Sequence, residues 1–170
     1  KFQHYEAAAN LGHAKAQLKI GDYYSYGLWG VKKDNKEAFK YYKLAAEQGN
    51  GEAQFNMGYA YENGLAFEQD TKVKDFEKAF HYYKLAADQG SADALCKVAY
   101  LYYKGNGIKE DHIQAYIYAK QASELGCDNA KQIMEWTKFT SEIQAGKELR
   151  VISQELDELK AKIELSKVKI

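Results

Sequence analysis

The chain contains no proline at any of its 170 positions. Nothing in it forces a kink or removes a backbone donor from a helix interior. Cysteine is scarce too: Cys96 and Cys127 form no CxxC pair and do not recur along the chain. Two such residues read as free thiols rather than a disulfide framework. Net charge is also missing, with 24 Lys and Arg against 24 Asp and Glu. A balanced chain offers no broad field for nucleic acid or an anionic membrane surface. No run approaches the roughly 20 apolar residues that cross a bilayer. Lys1–Leu11 carries no signal-peptide pattern.

Motifs for chemistry are lacking as well. His4, His13, His81 and His112 are scattered and form no HExxH, HxxxH or Cys/His cluster. Each is expected on the solvated surface. There is no GxGxxG, no GxxxxGK[ST] and no GxSxG. The acidic residues are spread out, and no pair is set apart for acid–base work. No enzyme activity and no cofactor are expected.

What the chain has is tyrosine, 15 of them, most in register with one another. Tyr41-Tyr42-Lys43-Leu44-Ala45-Ala46-Glu47-Gln48-Gly49 returns as Tyr82-Tyr83-Lys84-Leu85-Ala86-Ala87-Asp88-Gln89-Gly90. A weaker copy runs from Tyr118 to Gly126, and a partial one from His4 to Gly12. An Ala follows each closing Gly by four residues, at Ala16, Ala53, Ala94 and Ala130. Their separations are 37, 41 and 36, which fits one structural unit with a variable loop.

Each unit reads as two helices. In the first, Ala16, Ile20 and Tyr24 share one face, as do their copies Ala53, Met57, Tyr61 and Ala94, Val98, Tyr102. Gly21, Gly58 and Ala99 sit beside that face, where small size permits close approach of a neighbouring helix. Gly27, Gly64 and Gly105 suit the helix end. Asp34, Asp75 and Asp111 each precede an Ala by four residues and are placed to cap the second helix. Asp34 with Glu37, and Asp111 with Gln114, have the spacing of a capping box. The loop from Gly64 to Ala79 spans 15 positions against 11 from Gly27 to Ala38, and lacks Gly-x-Gly. A lone hairpin cannot bury its apolar face, so the units must stack.

These residues resemble the Sel1-like repeat family, in which Ala, Leu-Gly, Tyr, Gly-x-Gly-Val, Asp, Lys-Ala, Tyr, Ala-Ala and Gln-Gly follow in order. Gly105-Asn106-Gly107-Ile108 with Asp111 and Ala115 matches that pattern, as does Gly30-Val31 with Asp34, Glu37 and Ala38. The resemblance covers about Phe2 to Trp136. It implies an all-α, right-handed α-α superhelical solenoid of Sel1-like hairpins. The expected division is a solenoid over 1–140 and an amphipathic or coiled-coil-like helix over 141–170. Within the solenoid, a partial unit 1–12 is followed by full units at about 13–49, 50–90 and 91–126 and a capping unit at 127–140. Met134, Trp136 and Phe139 are candidates to pack on the last complete hairpin. The half-unit at the start is what is expected of a fragment of a longer array.

The resemblance also implies a role as scaffold or adaptor for a protein or peptide, with the first helix of each unit lining a concave groove. Family members serve as eukaryotic adaptors and as secreted or envelope proteins of bacteria that engage host factors. The expected location is therefore open between secreted and cytoplasmic. Groove positions fall at Lys19, Asp22, Ser25 and Tyr26 in the first unit. They fall at Asn56, Tyr59, Glu62 and Asn63 in the second, and at Lys97, Tyr100, Tyr103 and Lys104 in the third. Tyr26, Tyr59, Tyr100 and Tyr103 are the strongest candidates, because tyrosine offers large area and a polar tip at low entropic cost. Trp29 is either an exposed anchor or packed on the next loop.

The tail differs from the repeats. Leu149, Ile152, Leu156, Leu159 and Ile163 are spaced 3, 4, 3, 4, and Ser166 and Ile170 continue the series. Gly146 is a candidate break before it. Two readings stand: an amphipathic helix packed on the solenoid or on a neighbouring domain, or a coiled coil that makes a dimer or takes a partner helix. Oligomerisation through this tail is the alternative function, and a targeting module of a larger enzyme is a third.

Overall fold

The spacing of small and aromatic side chains at four-residue intervals produces helices nearly everywhere. The computed structural model describes residues 2–68 and 71–167. In chain order it contains α1 (Phe2–Asn10), α2 (Ala14–Tyr26), α3 (Asn35–Glu47), α4 (Gly51–Glu62), β1 (Ala66–Glu68), β2 (Thr71–Val73), α5 (Phe76–Asp88), α6 (Ala92–Lys104), α7 (His112–Glu124) and α8 (Asn129–Lys167). The pairs α2–α3, α4–α5 and α6–α7 are helical hairpins, and α3–α4 and α5–α6 join one hairpin to the next. The result is an all-α repeat solenoid.

One residue starts each second helix and ties it to the first. The Asp34 carboxylate accepts from the amides of Lys36 and Glu37 at 2.9 and 3.1 Å. Asp75 accepts from Lys78 at 3.0 Å and Asp111 from Gln114 at 2.9 Å. The amides of Asp34, Asp75 and Asp111 donate to the carbonyls of Tyr24, Tyr61 and Tyr102 at 2.8, 3.1 and 3.0 Å. This corrects the capping-box expectation. The reciprocal bond from Glu37 or Gln114 does not form, because the first helix already takes the cap's own amide.

The tyrosines form two ladders. Within each hairpin a pair stacks nearly parallel: Tyr24–Tyr41 and Tyr61–Tyr82 at 10° between planes, Tyr102–Tyr118 at 17°. Between hairpins a phenylalanine meets the edge of the same tyrosine: Phe2–Tyr24, Phe39–Tyr61 and Phe80–Tyr102, at 83°, 85° and 86°. Such offset and edge geometries follow the ring quadrupole.

The second tyrosine of each YY pair turns inward. Tyr42 and Tyr83 lie buried against Gly21 and Gly58, where an added Cβ would stand 2.6 Å from the ring in both cases. The small residue thus makes room for the ring of the partner helix. In the third hairpin the pair is Ala99 with Ala119, both at 0 % exposure.

A polar spine runs beside this core. Gln17 donates to the Ala9 carbonyl at 3.2 Å and accepts from Gln48 at 2.6 Å. Gln54 repeats this with the Ala46 carbonyl at 3.3 Å and Gln89 at 2.7 Å. Each buried amide links three successive helices and satisfies a carbonyl at a helix C-terminus. In the third hairpin Leu95 and Leu125 occupy both positions.

Three local features differ from the sequence reading. The long middle loop is a two-stranded antiparallel ribbon, with Ala66 opposite Val73, Phe67 opposite Lys72 and Glu68 opposite Thr71. It is anchored by Glu68, which accepts from Tyr61 Oη at 2.7 Å and Lys78 Nζ at 2.6 Å. Gly146 does not break the tail: α8 runs through it and past position 140, so the capping stretch and the tail share one helix. An unhindered helical glycine costs only about 1 kcal/mol against alanine. His112 is not a solvated histidine: its side chain is 16 % exposed, bonded to Glu110 at 2.8 Å and set against the Tyr103 ring.

At the C-terminal end, Ala130, Ile133 and Thr137 of α8 are buried against the last hairpin. Met134 joins the same core, and Trp136 stacks on Tyr103. The side chains of Phe139, Leu149, Ile152, Leu156, Leu159, Ile163 and Ser166, and all of Ile170, lie outside the described residues.

Candidate protein-binding face

The first helices α2, α4 and α6 leave a strip of side chains beside their buried stripe. Two cavities open along it. The first, about 250 Å3, lies between the first and second hairpins and is lined by Ser25, Tyr26, Tyr42, Asn56, Tyr59 and others. Tyr26 is 69 % and Tyr59 47 % exposed at its rim. The second, about 360 Å3, is walled by Phe55, Cys96, Lys97, Tyr100, Ile133 and Trp136, among others.

The predicted positions divide between these cavities and the packing. Tyr26, Asn56 and Tyr59 come together at the first cavity, and Lys97 and Tyr100 at the second. Asp22 is engaged: it accepts from Tyr42 Oη and pairs with Lys19, each at 3.1 Å. Glu62 is more firmly held, accepting from Tyr83 Oη at 2.6 Å and Lys97 Nζ at 2.7 Å. That last contact is an ion pair from the second hairpin to the third. Asn63 ends α4 and returns its amide to the Tyr59 carbonyl at 2.9 Å. Tyr103 lines neither of these two cavities; its ring stacks on Trp136 at 5.4 Å. Lys104 lies over Tyr103 at 5.0 Å and over Tyr100 at 5.9 Å. Trp29 is 67 % exposed and holds a left-handed φ of 57°.

Two charged contacts set the chemistry of the buried phenols. Burial, reinforced by the Asp22 carboxylate, pushes the Tyr42 hydroxyl well above its ordinary range. Burial and the hydrogen bond to Glu62 do the same for Tyr83. Both stay neutral donors, fixing their carboxylates rather than offering them to a ligand. Among the described residues no group of three His, Cys, Asp or Glu could hold a metal ion. No helix there is long and apolar enough to cross a membrane.

The sequence reading missed Phe55, Ile133 and Trp136. Phe55 occupies the register of Leu18 and Cys96, which are buried, and nothing local marks it as a cavity wall. Ile133 and Trp136 come from α8, where the repeat has ended. A further cavity of about 720 Å3 lies on the other side, between α3 and the ribbon, lined by Lys36, Lys40, Lys43, Phe39, Phe67 and Glu68 among others.

The Sel1 repeat model matches residues 2–13, 14–50, 51–91 and 92–127. The chain belongs to the Sel1 repeat family. Proteins of this family are generally scaffolds for protein interaction. The fold is similar to c5321, a protective antigen of uropathogenic Escherichia coli strains with an SLR fold, at 31 % identity and a TM-score of 0.73 over 83 % of this chain. It is similar to a Sel1 repeat protein from Oxalobacter formigenes at 34 % identity and a TM-score of 0.71 over 78 %. Cysteine rich protein B of Helicobacter pylori matches at 27 % identity and a TM-score of 0.55, over 77 % of this chain and 90 % of that protein. This Sel1 repeat chain spans 29 % of the length of the first and 52 % of the second. No curated protein matches it at a significant level.

Proposed function

We propose that the chain binds a protein or peptide partner along the concave face lined by α2, α4 and α6. One observation carries this reading. The tyrosines of the stacked pairs, and the inward-turned Tyr42 and Tyr83, are taken up by packing, whereas Tyr26 and Tyr59 stand exposed around one cavity. Large aromatic side chains at the rim of a pocket are the usual anchors of an interface.

A pull-down with the wild-type chain and a Tyr26→Ala/Tyr59→Ala variant tests this. Anchors of this kind contribute about 2 kcal/mol each, so recovery of a specific partner should fall by at least tenfold. Both residues are exposed, and the melting temperature should hardly move. Equal recovery of every partner by both proteins would remove the groove from the account.

A second reading, that the tail assembles copies of the chain, is favoured by the length of α8. Its 39 residues extend about 58 Å at 1.5 Å per residue. Light scattering of the full chain and of one ending at Lys147 should then give a dimer and a monomer. Equal masses would dismiss it.

A further inference from the structure

We propose that Cys96 and Cys127 close an intramolecular disulfide when the folded chain meets a small-molecule disulfide. Cys96 lies on α6, and Cys127 lies in the turn between α7 and α8. They are the chain's two cysteines, both free and both buried, at 8 % and 9 % exposure. Both belong to the same buried core cluster. Both also line the 360 Å3 cavity beside Tyr100 and Trp136.

Neither feature alone would amount to a site. A buried cysteine packs as a small apolar residue, and a cavity wall is only a surface. Together they place two buried thiols of one core cluster on the wall of one cavity, whose opening lets a reagent reach them. Burial, and secondarily the hydrogen bond to Cys127, pushes the Cys96 thiol up to about 12. Cys96 therefore rests as the protonated thiol at neutral pH, and forming a bridge needs an oxidant.

The chemistry is thiol–disulfide exchange. One cysteine, as its thiolate, attacks the S–S bond of the oxidant. A mixed disulfide forms and one small thiol leaves. The second cysteine attacks the protein-side sulfur of that mixed disulfide. The Cys96–Cys127 bond forms and a second small thiol leaves. Two protein protons end on the two small thiols, and the oxidant takes up the two electrons. The product joins α6 to the turn that leads into α8 and ties the entry of the capping helix to the last hairpin. It does not depend on what the groove binds.

The test uses the full chain, native buffer and oxidised glutathione. Intact mass should fall by two hydrogens, and a non-reducing peptide map should show one Cys96–Cys127 pair in a monomer. The melting temperature should rise by about 5 °C or more, and dithiothreitol should reverse both changes. Cys96→Ala and Cys127→Ala should each abolish the mass loss; the wild-type mass and map stand whether or not these variants fold well. Glutathione adducts without an internal bridge, cross-linked dimers, thiols that stay unreacted, or a bridge that forms only in denaturant would each overturn the proposal.

Discussion

Gly107→Ala should destabilise the chain by about 3 kcal/mol and lower its melting temperature by about 6–12 °C. Gly107 lies in the loop between α6 and α7 with a φ of +71°. A Cβ there would stand 2.2 Å from both the carbonyl carbon and the oxygen of Phe76, and 2.6 Å from the amide nitrogen of Glu77. Those atoms belong to the start of α5, so the loop of the third hairpin sits directly on the second. No side chain can swing away to relieve the overlap, and the backbone of one unit must shift. The left-handed conformation adds about 1–2 kcal/mol for any residue with a Cβ. The first hairpin separates the two contributions. Trp29, two residues after Gly27 as Gly107 is two after Gly105, holds a similar φ of 57° and stands largely exposed. Left-handed backbone alone is therefore tolerated there. Gly90→Ala is the matched control, since Gly90 has a φ of +85° and nothing within 4 Å of its Cβ position. It should show only the conformational cost. Stability in a repeat array is roughly a sum of units and their junctions. Damage at this junction should also split thermal unfolding into two steps. Calorimetry of both variants decides the matter: equal melting temperatures would mean that the contact with Phe76 carries no weight.

What could be read from the sequence was whatever repeats. Asp34, Asp75 and Asp111 announce themselves because a cap needs a short acceptor at one fixed place, and the structure puts all three there. The glycines that end the first helices likewise mark their ends, as at Gly27 and Gly105. The ribbon could not be read. Strands of three residues are too short to display a two-residue period against a helical background. Asp22 and Glu62 looked free because their partners, Tyr42 and Tyr83, lie 20 and 21 residues away on another helix. A signal for such pairing did exist in the differences between units. Gln17 with Gln48, and Gln54 with Gln89, are replaced together by Leu95 with Leu125. A buried amide without its partner is costly, so both members change or neither does. Cavity walls contributed by α8 had no such signal, since no earlier unit supplies an equivalent.

The pair formed by Gly58 and Tyr83 gives the other large effect, and here the expected result is non-additivity. Gly58→Ala alone drives a methyl to within 2.6, 2.8 and 2.9 Å of three Tyr83 ring carbons. Tyr83 is at 0 % exposure and its hydroxyl is fixed by Glu62, so the ring has nowhere to go. Overpacking of this kind costs about 1–3 kcal/mol, partly offset by the ~1 kcal/mol helix preference of alanine over glycine. Tyr83→Ala alone empties a fully buried site and should cost about 3–5 kcal/mol. The double variant carries two alanines, the combination found at Ala99 and Ala119 in the third hairpin. There the added methyl meets a void instead of a ring and brings its helix preference without the clash. The double variant should therefore be more stable than Tyr83→Ala, reversing the sign of the Gly58→Ala effect. A coupling of about 2 kcal/mol is expected from the four-member cycle measured by denaturant unfolding. If the two substitutions instead add to within about 0.5 kcal/mol, the glycine is not there to admit the ring. The matching Ala pair in the third hairpin would then need another cause.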